Sequence, residues 1–208
     1  TQAALSKTVQ RNVAFAQSPK FESEMERILD MFRFIPRRAT FLDVGCGVGG
    51  VRSFFKSYVA KENYYGIDLS VEAIAAAAVD GYEDRVALDD AEKITSFPGV
   101  QFDFAVMSHL IEHLHNPRAA LRGVLQRLKP GGKLAIVTPN GRFVDVHRPT
   151  NWLRGYKIDP TTVKFYTTST LKTELEAVGY IIRINETFGK SVLFQKERVV
   201  ALAEKRSY

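Results

Sequence analysis

The stretch from Phe41 to Gly50, with the sequence FLDVGCGVGG, places four glycines directly after a short apolar run. Thr40–Val44 predicts a buried strand, and Val51–Val59 has apolar residues at the i, i+3, i+4, i+7 and i+8 positions of a helix. Glycines between a strand and a helix let the backbone turn sharply and approach a ligand closely. The stretch therefore predicts a strand, a ligand-binding turn and a helix in succession.

The rest of the chain continues this alternation of short apolar runs and helical stripes. Further strands are predicted at Asn63–Ile67, Arg85–Leu88, Phe102–Met107 and Leu134–Thr138, and further helices at Phe21–Ile35, after Ser70, after Asn116 and before Gly179. This order predicts an α/β fold, with a mostly parallel sheet covered by helices on both faces. Two further strands are predicted at Tyr180–Ile184 and Ser191–Gln195. They are separated by a turn and not by a helix, so they depart from this alternation.

Composition limits the class of protein. The 208 residues are 45% hydrophobic and 25% charged, as in ordinary globular domains. The single cysteine, Cys46, excludes an internal disulfide, and no apolar run reaches the ~18–20 residues of a membrane span. The first residues lack the apolar centre of a secretory signal, so we expect a cytoplasmic protein.

Charge leaves the type of partner open. Lys and Arg number 29 against 23 Asp and Glu, which gives a net charge of +6 and a pI near 9.4. A basic protein suits a polyanionic partner, but no basic run exceeds two residues. Nucleic acid is therefore an alternative partner and not the favoured one.

An acidic residue follows the second predicted strand. Gly45, Gly47 and Gly50 satisfy the GxGxxG pattern, and Asp68 follows the first of these glycines at the distance typical of adenosine-cofactor sites. A carboxylate at this point can accept hydrogen bonds from both ribose hydroxyls. The pattern predicts an adenosine cofactor without deciding which one.

Four further motifs narrow the choice. Asp43-x-Gly45-x-Gly47 resembles the nucleotide loop of class I S-adenosylmethionine-dependent methyltransferases. LDDAE at 88–92, FDFAVMSHLIEHL at 102–114 and LKPGGKL at 128–134 resemble the later motifs of that family, in the correct order. Within the family, the stretch from Phe41 to Asn140 is similar to the branch of ubiquinone-biosynthesis O-methyltransferases and of small-molecule and sugar methyltransferases.

The resemblance implies a three-layer Rossmann-like sheet of seven strands with the last antiparallel, and S-adenosyl-L-methionine as cofactor. It implies that the methionine end lies over the glycines, the ribose at the acid after the second strand, and the adenine near the acid after the third. The implied cofactor residues are Asp43, Gly45, Gly47, Asp68, Leu69, Asp90, Ala91 and Ser108. We expect one domain, with an N-terminal helical lid at 1–38, a cofactor-binding core at 39–138, a substrate loop at 139–167, and a C-terminal helix and strand pair at 168–208.

Methyl transfer to a hydroxyl needs in-line positioning and a base for the hydroxyl proton. A histidine near its ordinary pKa can take that proton, so His109, beside the implied sulfonium, is the first candidate base and His113 the second. Some relatives hold a divalent ion with Glu-x-x-Glu-His. Here the first position is His109, which disfavours Mg²⁺, and we expect no metal.

The predicted substrate loop mixes cations with aromatic residues. Its candidate substrate residues are Arg142, His147, Arg148 and Trp152, a set that suits an anionic, planar or sugar-bearing ligand. The sequence therefore predicts O-methylation of a small-molecule or glycan hydroxyl. The alternatives are an RNA or protein methyltransferase that uses the basic loop 140–157, and an inactive cofactor-binding domain.

Overall fold

A computed structural model describes residues 6–142, 161–192 and 195–207. Its centre is a seven-stranded sheet with the order β3-β2-β1-β4-β5-β7-β6. The strands are β1 (Phe41–Val44), β2 (Tyr64–Asp68), β3 (Val86–Leu88), β4 (Phe102–Ser108), β5 (Leu128–Pro139), β6 (Ile181–Val192) and β7 (Gln195–Glu204). The first five strands are parallel, and β7 runs antiparallel to both β5 and β6. The predicted fold class is confirmed.

Helices cover both faces of the sheet. They are α1 (Lys7–Ala16), α2 (Pro19–Phe32), α3 (Gly50–Phe55), α4 (Val71–Ala77), α5 (Pro117–Arg127) and α6 (Thr168–Val178), with 3₁₀ turns at Lys61–Asn63 and Ile111–His113. The side chains of Ser18, Ser70, Asn116 and Thr167 accept hydrogen bonds from backbone N–H groups in the first turns of their helices. Local capping therefore fixes where four helices begin.

The core consists of two apolar layers, one on each face of the sheet. Along β1, Phe41 packs with α2 and α3, whereas Leu42 and Val44 pack on the opposite face with α5 and α6. This alternation follows from the two-residue period of a strand. Each fully buried side chain of this size contributes about 1.5–3 kcal/mol, so both layers are needed for a stable sheet.

Strand register aligns the ends that form the site. Val44 of β1 is level with Ile67 of β2 on one side and with Met107 of β4 on the other. The next residues along these three strands are Gly45, Asp68 and Ser108, which therefore meet at one edge of the sheet. Ligands of open α/β sheets bind at this carboxyl edge.

Several predicted element boundaries were wrong and one helix was missed. Strand β6 continues to Val192, past its predicted end at Ile184. The last strand occupies Gln195–Glu204 and not Ser191–Gln195, because the apolar run Val199–Ala203 fills the buried position between β5 and β6. The helix after the glycines ends at Phe55, four residues earlier than predicted. The N-terminal helix α1 was not predicted. Among the described residues, no helix is long and apolar enough to cross a membrane.

Candidate functional site

The glycine-rich loop turns directly after β1. Gly45, Gly47 and Gly49 have φ angles of 74°, 52° and 85°, in the left-handed region that favours glycine. The N–H groups of Gly45 and Cys46 donate to the carbonyl of Ile67 at 2.8 and 2.9 Å, which ties the loop to the end of β2. A Cβ built on Gly47 would meet no atom of the described residues within 4 Å, so a ligand can approach the backbone there.

Asp68 lies beside this loop, as its register requires. Its Oδ2 accepts a hydrogen bond from the N–H of Gly47 at 2.9 Å, and its Oδ1 accepts one from the N–H of Ser70 at 2.9 Å. Two predicted cofactor residues are thus in direct contact. The adjoining Leu69 is 72% exposed, and Leu88 at the end of β3 is exposed as well. These apolar side chains could pack against a flat ring.

The predicted adenine residues lie in the turn after β3. Asp90 accepts a hydrogen bond from the N–H of Glu92 and pairs with Lys93 at 3.2 Å; the backbone bond and the lysine lower its pKa. Asp89 is buried and accepts hydrogen bonds from the backbone of Ser96 and of other residues in this turn. Asp89 therefore shapes the turn that presents Asp90 and the half-buried Ala91.

Asp43 lies under the loop and is fully buried. Its Oδ2 accepts a hydrogen bond from the hydroxyl of Tyr64 at 2.6 Å, while its Oδ1 has no partner among the described residues. Burial raises the pKa of Asp43 to about 7, against the opposing hydrogen bond from Tyr64. The Oγ of Ser108, at the end of β4, likewise has no partner among the described residues. Such polar atoms fit a cofactor that brings its own donors.

His109 lies between two acidic side chains. Its Nε2 is 2.8 Å from Oε2 of Glu24 on α2, and its Nδ1 is 3.4 Å from Oε1 of Glu112. Arg198 of β7 donates from Nε to the other oxygen of Glu24 at 2.6 Å. The four side chains form a buried charge cluster in which Glu24 is 1% and Arg198 4% exposed.

This environment corrects the expected ionisation of His109. Burial would lower its pKa, but Glu24 and Glu112 together raise the pKa to about 9. The expected imidazole near its ordinary pKa is therefore replaced by one whose raised pKa favours the imidazolium form at neutral pH. A protonated ring cannot accept the acceptor's proton, so the role of a free base does not suit His109 in this arrangement.

His113, the second candidate base, lies in the 3₁₀ turn. Its Nδ1 is 3.0 Å from the hydroxyl oxygen of Thr161, and its Nε2 is 4.0 Å from Glu112. The N–H groups of Val163 and Lys164 donate to the backbone carbonyl of Glu112. The segment after residue 160 therefore packs on the turn that carries His113, whose catalytic role stays a prediction.

The predicted substrate loop is only partly described. Arg142 is exposed, and its N–H donates to the side chain of Asn140 at 3.1 Å. His147, Arg148 and Trp152 lie outside the described residues. In the described part of the chain, no group of three His, Cys, Asp or Glu side chains is placed to hold a metal ion.

Sequence reasoning missed Glu24, Arg198 and Phe15, whose ring lies edge-on to the ring of His109 at 5.2 Å. The sequence did contain a signal for Glu24. It lies with Phe21, Met25 and Ile28 on the apolar stripe of α2, where a buried charge destabilises the fold unless it is paired.

Comparison with known proteins assigns most of this chain to a family. A family model described as a methyltransferase domain matches residues 9–183. The ubiquinone biosynthesis O-methyltransferase of Azoarcus sp. (strain BH72) is 35% identical over 106 residues, which are 49% of this chain and 45% of that protein. The chain thus spans about half the length of the curated relatives it matches.

Solved structures share the fold. A SAM-dependent methyltransferase from Aquifex aeolicus superposes with a TM-score of 0.69 at 21% identity, covering 93% of this chain and 97% of that chain. The [4+2]-cyclase SpnF superposes with a TM-score of 0.65 at 20% identity, covering 88% and 82%. One fold thus occurs in proteins named for different reactions. The match over residues 9–183 assigns the family: this chain belongs to the methyltransferase domains, the class that the motifs between Phe41 and Asn140 predicted.

Proposed function

We propose that this chain transfers a methyl group from S-adenosylmethionine to a hydroxyl oxygen of a small molecule or glycan. One observation carries the proposal: the contact between Gly47 and Asp68, which places an open backbone turn and a carboxylate together at the carboxyl edge of the sheet. The oxygen acceptor is supported by the relative from Azoarcus, whose name describes O-methylation.

The residues of this edge suit the cofactor part by part. Asp68 would accept hydrogen bonds from the ribose hydroxyls, and Asp90 with Ala91 would lie at the adenine. Asp43, with one oxygen without a partner among the described residues, would stabilise the loop and the cofactor's ammonium group. When bound, S-adenosylmethionine supplies a methyl group on a positively charged sulfur.

The chain's own contribution to the reaction is chiefly positioning. Ser108 and His109 would border the methyl group, and helices α1 and α2 would exclude water from it through Phe15 and Glu24. His113 stays the candidate base. Arg142, His147, Arg148 and Trp152 stay candidate substrate residues, and a cytoplasmic location stays a prediction.

Labelled cofactor tests the proposal directly. The protein is incubated with methyl-labelled S-adenosylmethionine and fractionated host extract, and label is measured in small molecules, glycans, RNA and protein. We expect label in the small-molecule or glycan fraction, as a methyl ether stable to mild base. Label in RNA or protein would support the alternative that uses the basic loop 140–157. Binding of S-adenosylhomocysteine without transfer to any fraction would support the inactive alternative.

A further inference from the structure

The ring of His109 contacts acidic groups through both nitrogens. Glu24 of α2 lies at Nε2 and Glu112 of the 3₁₀ turn lies at Nδ1. An ionised carboxylate only accepts hydrogen bonds, and a neutral imidazole always has one bare nitrogen. With a neutral ring, one of these contacts would set lone pair against lone pair. The geometry is satisfied when both nitrogens carry a proton.

Glu24 is held in its ionised form by Arg198. The Arg198 guanidinium donates to one oxygen of Glu24 at 2.6 Å, while the other oxygen faces His109 at 2.8 Å. Burial would raise the pKa of Glu24, but His109 and Arg198 outweigh burial and lower it. Removal of either cation would leave the carboxylate poorly compensated in a buried site. Glu24 thus links β7 to the end of β4.

The two ring nitrogens are held unequally. The Nε2 contact of 2.8 Å has the length of a charge-assisted hydrogen bond, whereas the Nδ1 contact of 3.4 Å to Glu112 is longer than one. Glu112 directs its second oxygen to the hydroxyl of Thr138 at 2.9 Å and lies 4.0 Å from His113. The proton on Nδ1 is therefore held less tightly by Glu112, and it is the one that remains available to another acceptor oxygen.

The backbone and a neighbouring ring also fix His109. Its φ of 52° is unusual for a residue with a side chain, and its N–H donates to the carbonyl of Val137 at 2.9 Å. The ring of Phe15 in α1 packs against the His109 ring in an edge-on contact. Four elements, α1, α2, the 3₁₀ turn and β5, therefore restrict the ring, and it remains 20% exposed.

We propose that Glu24 and Arg198 are positioning residues that hold His109 as a cation and aim its Nδ1–H at the acceptor oxygen. The inference rests on the proposed function, since it assumes that the acceptor oxygen arrives beside Ser108 and His109. The acceptor then reacts as an anion that has already lost its proton to solvent. Its oxygen forms the bond to the methyl carbon, the electrons of the carbon–sulfur bond stay on sulfur, and His109 keeps its proton throughout.

Nitrogen-15 NMR of histidine-labelled protein tests the first half of the proposal. The resonances of His109 are assigned by their loss in His109→Gln. With S-adenosylhomocysteine bound at pH 7.5, both ring nitrogens should be protonated in the unmodified protein and in the control Glu26→Gln, an exposed glutamate of the same helix. In Glu24→Gln, the acid dissociation constant of His109 should rise at least tenfold. A neutral His109 in the unmodified protein would overturn the proposal.

The probe 4-nitrophenol tests the second half, because its visible absorption distinguishes the hydroxyl from its anion. Bound beside S-adenosylhomocysteine, it should ionise at least tenfold more readily than in water. His109→Gln and Glu24→Gln should abolish the difference, and Glu26→Gln should keep it. An equal effect in all variants, or no ionisation of the bound probe, would overturn the proposal.

Folding and function can be separated in this design. If Glu24→Gln does not fold because Arg198 keeps a buried charge, the double variant Glu24→Gln/Arg198→Met removes both charges and takes its place. It should show the same loss of the His109 cation. Failure of the unmodified protein to bind S-adenosylhomocysteine would instead count against the proposed function, while the NMR of the free protein would still decide the ionisation of His109.

Discussion

Asp68 accepts two backbone hydrogen bonds, from Gly47 and from Ser70, and keeps lone pairs for a ligand. Replacement by alanine removes the charged acceptor and releases the glycine loop. We expect Asp68→Ala to weaken binding of S-adenosylhomocysteine by about 1.5–3 kcal/mol, the range for hydrogen bonds to charged groups. Isothermal calorimetry measures the change.

The control for Asp68→Ala is Asp84→Ala. Asp84 is exposed and pairs with the neighbouring Arg85 at 3.2 Å. Its replacement should leave the affinity unchanged. Equal affinity of the Asp68 and Asp84 variants would remove Asp68 from the cofactor site.

Gly47 permits a sharper test, because the chain contains a matched glycine. Gly47 and Gly99 both have positive φ, and in the described part of the chain a Cβ on either would meet no atom within 4 Å. Valine at either position should cost about 1–2 kcal/mol of unfolding free energy through backbone strain. Only Gly47→Val should also abolish binding of S-adenosylhomocysteine, since Gly99 precedes β4 at the opposite edge of the sheet. Binding by a folded Gly47→Val protein would place the cofactor elsewhere.

At the scale of elements, α1 and α2 pack against the start of α3. A Cβ on Gly50 would lie 2.8 Å from the Cβ of Ala16 and 3.1 Å from the ring of Phe21. Gly50→Ala should therefore force the two N-terminal helices away and lower the unfolding free energy by about 1–3 kcal/mol, the usual cost of overpacking.

A second substitution checks the cause of that loss. Ala16→Gly removes the methyl group that the new Cβ would meet. The double variant Ala16→Gly/Gly50→Ala should recover part of the stability in urea unfolding, relative to the sum of the two single changes. Strict additivity, or a Gly50→Ala protein as stable as the original, would show that this contact does not hold the helices.

Helix α1 shows what local patterns could not predict. Its position depends on contacts with Gly50 and His109, which are distant in sequence. By contrast, the start of α5 follows from the cap at Asn116 and the following proline, which act locally. Local signals such as caps and prolines therefore predicted where most elements lie. They did not predict that α1 contacts Gly50 and His109.

At the scale of the whole molecule, the same distinction separates two parts of the candidate site. Gly45, Asp68 and Ser108 could be predicted together, because parallel strands in register bring their next residues to one edge. Glu24 and Arg198 are 174 positions apart, and their contact depends on β7 entering the sheet beside β5. Because the last strand was predicted several residues too early, this contact and the charge of His109 could not be foreseen.

The charge cluster should also make the stability of the molecule depend on pH. The pKa of His109 is about 9 in the folded protein, against about 6.5 for an unperturbed histidine. The stabilisation is fully present below pH 6.5 and is lost as pH rises through 9, because the folded state then binds a proton that the unfolded state has released. Asp43, with a pKa of about 7, is half ionised at pH 7 and adds to the slope there, so the slope between pH 8 and 9 is the one that reports His109.

Between pH 7 and 9, the free energy of unfolding should therefore fall by up to about 1.4 kcal/mol per pH unit. Urea unfolding at pH 7, 8 and 9 measures the slope. His109→Gln should flatten it, whereas His115→Gln, which changes an exposed histidine, should leave it as it is. Parallel curves for the original protein and His109→Gln would mean that His109 is not an imidazolium in the folded state. Because that ion is what excludes His109 as a free base at neutral pH, the same curves would restore it as the first candidate to take the hydroxyl proton.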